Sequence, residues 1–213
     1  MKVIKINPQY PNQAVISKIA NLLKKGKLVI FPTETVYGLG ADALNPAAVK
    51  KIFRVKRRPK NKPLLILIAK NSDLRKVAKN IPKSAFRLMK EFWPGPLTLI
   101  LEKRKRISKA LTGGKENIAV RISSHPVARA IARALNRPIT APSANISGKK
   151  PHRRASKLIS EFRNIQEIEA LVDAGATPIG KPSTILDLTK KPPTILRAGS
   201  ITKKQIAKLM RLR

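Results

Sequence analysis

The stretch LVIFPTETVYGLG, residues 28–40, decides how this chain is read. Leu28 to Phe31 are four consecutive apolar residues and predict a short buried strand. Pro32 ends it, because proline has no N–H to give to a ladder. Thr33, Glu34 and Thr35 then place three small or acidic hydrogen-bonding side chains at the strand end. Val36 and Tyr37 are apolar enough to pack beneath them, and Gly38 and Gly40 let the backbone turn or come close to a ligand. Open α/β sheets bind their ligands just outside strand ends. Taken alone, the segment could equally be a polar loop that closes a strand. A second stretch of the same build, PITAPSANISG at 138–148, argues for more: strand, proline, small hydroxyls and glycine recur. Two such loops predict two walls of one site.

Working outward, Asn12 and Gly26 bracket a helix over 12–25, with Val15, Ile19, Leu22 and Leu23 as its apolar stripe. Asn45 followed by Pro46 opens a second helix that buries Val49, Ile52 and Phe53. It runs into RVKRRPKNK at 54–62, where six of nine residues are basic and Pro59 and Pro63 forbid further helix. Apolar runs predict strands at 64–69, 97–101, 118–122, 138–141, 170–173, 184–186 and 194–196. Helices are expected at 73–79 with Ser72 as cap, at 83–91, and from a Ser124 cap to Leu135. Thr202 and Gln205 form a capping box for a last helix with Ile206, Leu209 and Met210 on its apolar side. Trp93, in the proline-rich corner FWPGP, reads as core or hinge. The irregular alternation predicts an α/β fold, a twisted open mixed sheet flanked by helices. With no linker-like segment, residues 1–213 read as one domain.

Composition limits the chemistry. The absence of cysteine excludes disulfides, Cys-ligated zinc, iron–sulfur clusters and a thiol nucleophile. Two histidines, His125 and His152, do not make a His-rich metal centre. No run approaches 18 apolar residues and the N-terminus lacks a signal-peptide core, so a cytoplasmic protein is expected. The 46 Lys and Arg against 11 Asp and Glu leave a formal charge of +35, far beyond what solubility needs. A polyanionic partner is the natural counterpart, nucleic acid before a membrane surface. Aromatics are only 4%, which disfavours a base-stacking platform and favours contact through phosphates or folded shape.

No Walker-type phosphate loop, Rossmann glycine fingerprint or nucleophile elbow is present. What remains is a set of cations and hydroxyls near strand ends: Lys56, Arg58, Arg121, Ser143, Asn145, Ser147 and Arg197. Lysine or arginine beside hydroxyls and backbone amides is what a phosphate chain needs. Lys56 and Arg58 could also be part of a solvated basic run. Arg121, set in an apolar strand, must find a partner, either a ligand anion or a buried carboxylate.

These residues fall in motifs by which the chain resembles the YrdC/TsaC-like family, the threonylcarbamoyl-AMP synthases. The motifs occur in order: PTETVYGLG at 32–40, KRRP at 56–59, WPGPLT at 93–98, AVRI at 119–122, HP at 125–126, PSANISG at 142–148 and STILDLT at 183–189. The resemblance covers nearly the whole chain and suggests the short, single-domain form. It implies a twisted α/β sheet around a concave, basic cavity. The implied reaction is a nucleotidyl transfer that makes L-threonylcarbamoyl-AMP and pyrophosphate from L-threonine, bicarbonate and ATP with Mg2+. The product would serve N6-threonylcarbamoyladenosine formation at tRNA position 37, with a downstream threonylcarbamoyl transferase machinery as partner. The family's K-x-R motif falls on Lys56 and Arg58, implied as catalytic and ATP-binding. Ser143, Asn145, Ser147 and Arg197 are implied on the ATP side, and Thr33, Arg121 and Ser183 on the threonine side. Two positions depart from the pattern: LLILIA, at 64–69, lacks a histidine that many members carry. Pro182-Ser183-Thr184 stands where many read E-S-T. The other function class compatible with the charge is a module binding structured RNA or the ribosome, but such a module has no use for Thr33, Ser143 and Asn145 at strand ends.

Overall fold

In the computed structural model, which describes residues 1–212, Leu28–Phe31 is a strand buried along its whole length. In chain order the elements are β1 (Lys2–Lys5), α1 (Gln13–Lys24), β2 (Leu28–Phe31), β3 (Gly38–Gly40), α2 (Pro46–Lys56) and β4 (Leu65–Leu67). A 3-10 turn over Asn71–Asp73 precedes α3 (Leu74–Val77), α4 (Lys83–Phe92), β5 (Leu97–Glu102), α5 (Lys109–Thr112), β6 (Asn117–Arg121) and α6 (Pro126–Leu135). The chain closes with β7 (Ile139–Thr140), α7 (Ala155–Phe162), β8 (Ile168–Asp173), β9 (Thr184–Asp187), β10 (Thr194–Arg197) and α8 (Lys203–Ala207). The strands form two mixed sheets, β1-β8-β2-β3 and β10-β9-β5-β6-β4-β7. Across the second, parallel and antiparallel neighbours alternate.

The period of two along β2 explains why four apolar residues stand in a row. Leu28 and Ile30 enter one hydrophobic cluster with Leu39, Val49 and Ile52, while Val29 and Phe31 enter another with Ile16, Ile19, Leu23, Val127 and Ile131. The second cluster joins α1 and α6, whose apolar sides pack on each other. Gly40 serves this packing rather than a ligand: a Cβ there would meet the Phe31 ring at 2.8 Å.

The two predicted loop walls are zipped together at the seam between the sheets. Leu39 N–H donates to Pro142 O at 2.9 Å, Ala144 N–H to Tyr37 O at 2.7 Å, and Gly38 bridges Ser143. The loops therefore descend side by side from β2 and β7.

Several local expectations are corrected. The buried stripe of α1 centres on Ile16, Ile19, Ala20 and Leu23, with Val15 and Leu22 only partly covered. His125, not Ser124, caps α6, its Nδ1 accepting from Val127 N–H at 3.2 Å. Ser72 lies within the 3-10 turn and caps nothing. Strand β4 is three residues rather than six. Four elements were not anticipated: β1, β3, α5 and α7. Trp93 is core, its indole N–H donating to Leu97 O at 2.7 Å.

Candidate functional site

A cavity of about 260 Å3 opens beside the zipped loops. Its polar lining includes Thr33, Arg58, Arg121, Ser143, Ser183 and Arg197, six of the nine residues singled out from the sequence. An apolar row closes one side: Leu65, Ala119 and Ile100 are register partners on β4, β6 and β5, and Ile185 of β9, opposite Thr98, flanks them.

Three guanidiniums converge here, each fixed differently. Arg58, just past the end of α2, donates through Nε to Lys62 O at 3.1 Å and through Nη2 to Pro63 O at 2.9 Å. Arg197, at the end of β10, reaches Ser183 O at 2.8 Å and Ser183 Oγ at 3.1 Å through Nη2. Ser183 Oγ is in turn 2.8 Å from Thr98 Oγ1, so its hydroxyl is held from two sides. Arg121, fully buried at the end of β6, forms an ion pair through Nη1 with Glu34, whose second oxygen accepts from Ser123 Oγ. The buried-carboxylate alternative for Arg121 is thus realised. One carboxylate does not exhaust it, however: Arg121 Nε is buried without a hydrogen-bond partner.

Electrostatics favour an anion in this space. Burial pushes the Arg58, Arg121 and Arg197 guanidiniums below their ordinary values, and for Arg197 the neighbouring Arg121 and Arg58 charges push further. Of these three cations only Arg121 is paired with a carboxylate among the described residues, so a bound anion relieves repulsion as well as gaining hydrogen bonds. His125 is held below its usual range by burial, against the pull of Glu34, and stays neutral with Nδ1 as acceptor.

Thr33 folds its loop: Oγ1 donates to Val36 O at 2.6 Å and accepts from Val36 N–H at 3.3 Å. Tyr37 packs beneath, its hydroxyl donating to Gly175 O at 2.7 Å.

The remaining three predicted residues stand behind the wall. Lys56 is the last residue of α2 and is 2% exposed, so it is not part of a solvated basic run. Its ammonium donates to Ser143 O at 2.5 Å and Asn145 O at 2.6 Å. Asn145 spends its amide on Ile146 O at 2.8 Å and Lys149 O at 2.6 Å, and Ser147 N–H donates to Lys56 O at 2.8 Å. These three residues shape the 142–148 loop. Burial, aided by Arg58 and opposed by Glu161, lowers the Lys56 ammonium to about 8.

Sequence reasoning passed over Glu34 as partner of Arg121, and over Ser123 and Glu161. Glu161, on α7, accepts from Ile146 N–H at 2.9 Å through Oε1 and pairs with His152 Nε2 at 2.5 Å through Oε2. Glu34 carried a legible signal, an acid between two threonines facing an expected anion pocket. Glu161 carried none, because its helix was not recognised.

Among the described residues, no group of three or more His, Cys, Asp or Glu is placed to hold a metal ion. No helix of the structure is long and apolar enough to cross a membrane.

Comparison with known proteins gives consistent matches. The Sua5_yciO_yrdC family model, described as "Telomere recombination", matches residues 21–199. A threonylcarbamoyl-AMP synthase of Pyrococcus abyssi is 47% identical over 191 residues, covering 90% of this chain and 56% of that one. One of Bacillus subtilis is 45% identical over 196 residues, covering 92% and 56%. The crystal structure of P. abyssi Sua5 complexed with L-threonine superimposes with a TM-score of 0.95 at 44% identity, over 99% of this chain and 61% of that one. The chain thus spans little more than half the length of these relatives.

Proposed function

The chain belongs to the Sua5/YciO/YrdC family, and from that premise we propose that it is an L-threonylcarbamoyladenylate synthase. The observation that carries this reading is the convergence of Arg58, Arg121 and Arg197 with the Thr33, Ser143 and Ser183 hydroxyls on one cavity. That set suits a reaction whose nucleophile comes with the substrate. The threonine amine and bicarbonate give a carbamate as a C–N bond forms and water is lost, and one carbamate oxygen attacks the α-phosphorus of ATP. The bond to the β-phosphate breaks, and pyrophosphate leaves with the electron pair. The protein's task is to hold anions together and to stabilise charge shifting onto the leaving group.

In this reading Arg121 takes the threonine carboxylate on the side that Glu34 leaves free, with Thr33 and Ser183 beside it. Arg58, Ser143 and Arg197 face the nucleotide. Lys56, Asn145 and Ser147 form the backing that fixes Ser143, and a direct contact of Lys56 with phosphate would need its carbonyl bonds to be exchanged. The donor set offers Mg2+ no carboxylate cage, since Glu34 is engaged by Arg121 and Ser123. It suits an ion carried by the ATP phosphates and water. Threonine is the substrate with a direct parallel, the complex of P. abyssi Sua5 with L-threonine. ATP, bicarbonate, weakly held tRNA, a downstream transferase and a cytoplasmic setting complete the proposal.

The RNA-binding alternative draws on the +35 charge. A pyrophosphate-release assay with threonine and bicarbonate omitted in turn separates the two. Release that needs both supports the synthase, and release indifferent to threonine sinks it.

A further inference from the structure

Behind Arg58 lies a second cavity, of about 580 Å3, lined by Lys50, Phe53, Arg54, Arg57, Arg58 and Lys60. Arg58 borders both spaces, so its side chain is part of the partition between them. Five of the seven lining residues are cationic, and Ala110 joins Phe53 as the apolar remainder. Among the described residues, Arg54 has an acidic partner, Glu167 at 2.8 Å, while Lys50, Arg57 and Lys60 are exposed and in no ion pair. The aliphatic stems and Phe53 supply the walls, and the charged heads can gather at the mouth.

The end of a helix is ordinarily its negative pole and would offset such a cluster. Here part of that pole is capped: Arg57 N–H donates to Arg54 O at 3.0 Å and Arg58 N–H to Phe53 O at 2.9 Å. The capping residue Arg57 is left-handed, with φ of 50°, where glycine would sit with less strain. A cation at this position keeps positive charge at the cavity mouth that glycine would forgo.

We propose that this second cavity is a transit site for inorganic pyrophosphate. Resting on the synthase reading, it receives the leaving group after the α-phosphorus bond breaks. Pyrophosphate then passes from Arg58 to Arg57 and Lys60, with Lys50 and Arg54 on the solvent side. A compact anion of three or four charges matches a compact cation cluster that touches the reaction cavity through one shared residue. RNA would meet the same cations from solvent and would have no use for the Arg58 partition.

The test is a calorimetric titration with inorganic pyrophosphate of the full chain already saturated with ATP, threonine being absent. Wild type should bind about one further equivalent. The double variant Lys50→Ser/Arg57→Ser should bind at least about tenfold more weakly, with ATP affinity and circular dichroism unchanged. In turnover, pyrophosphate inhibition that ATP does not relieve should be present in wild type and lost in the variant. Exclusion of pyrophosphate by bound ATP, or equal affinity in both proteins, overturns the proposal. So does an RNA hairpin that depends on Lys50 and Arg57 while pyrophosphate does not. If ATP fails to bind at all, the synthase reading falls. Pyrophosphate binding to the ATP-free proteins then judges the second cavity by the same comparison.

Discussion

Arg121 and Lys56 are the two residues whose burial most needs explaining, and their solutions differ. Arg121 is paired with a carboxylate, and the pair is tied down by Ser123. Removing one member of a buried pair leaves an uncompensated charge and costs about 3–5 kcal/mol. Glu34→Ala should therefore lower stability by that order in a denaturant titration, and a loss below about 1 kcal/mol would mean that water reaches Arg121. Arg121→Lys keeps the charge but loses the planar fork. It should raise the KM for threonine more than that for ATP, and the reverse pattern would place Arg121 on the nucleotide. Lys56 is held by carbonyls alone, and its ammonium is lowered to about 8 from an ordinary 10.5. Between those values the unfolded chain keeps a proton that the folded chain has released. Stability from this residue therefore rises with pH across the window, and its burial penalty is fully present below about 8. Neutral Lys56 is also a weaker donor to Ser143 O and Asn145 O, so ATP affinity should fall between pH 7 and 9 while stability does not. Lys56→Met should bind ATP more weakly and without that pH dependence. A wild-type affinity flat over the range would remove the loop from Lys56's control.

At the scale of elements, what could be read from the sequence was whatever announced itself locally. Asn12, Asn45 and the Thr202–Gln205 box each fixed a helix start, because a cap is a contact within a few residues. β2 was legible to the residue because both its faces are buried and a proline ends it. Of the six site residues that reached one cavity, Thr33 and Ser143 were marked by the strand ends and prolines of the two loops, Arg58, Arg121 and Arg197 were cations near strand ends, and Ser183 came only through the family motif. What stayed hidden is tertiary. β1 is an edge strand paired with β8, with too little burial to pattern its sequence. α7 is two turns long and begins within KKPHRRASK at 149–157, so charge masked Leu158 and Phe162. With α7 went Glu161, the outer support of the 142–148 loop, whose partner His152 also accepts from Tyr37 N–H at 3.4 Å through its backbone carbonyl. Glu161→Ala should raise the KM for ATP about tenfold, equivalent to ~1.4 kcal/mol, with the KM for threonine unchanged. Glu161→Gln retains an acceptor for Ile146 N–H and should recover most of the loss. Equal effects on both substrates would make Glu161 a general stabiliser instead.

For the whole molecule, the charge makes salt act in two opposite directions. With 46 basic and 11 acidic side chains, most cations lack a partner, and those on the surface repel one another. Raising ionic strength shortens the Debye length from about 30 Å at 0.01 M to about 8 Å at 0.15 M, so the repulsion fades. The melting temperature should therefore rise over that interval, the surface ion pairs being too weak to reverse the trend. Binding of a polyanion should move the other way. For duplex RNA treated like B-DNA, the logarithm of the association constant falls by roughly 0.9 per neutralised phosphate for each tenfold rise in salt. The run at 54–62 and the basic stretches KRKRISK at 103–109 and KKPHRRASK at 149–157 are not equal in this respect. Arg104 gives its Nε to Arg75 O at 2.5 Å, and Arg153 its Nη2 to Thr177 O at 3.1 Å, which pins their heads to the fold, while among the described residues the Arg57 and Lys60 side chains are in no hydrogen bond or ion pair. Charge reversal at Arg57 and Lys60 should consequently reduce the salt slope more than reversal at Arg104 and Arg153. Filter binding of a tRNA transcript at several salt concentrations, beside melting curves in the same buffers, measures both trends. A melting temperature that falls with salt would mean that self-repulsion does not limit the fold, and RNA binding without a salt slope would mean that the excess charge is not what holds a polyanionic partner.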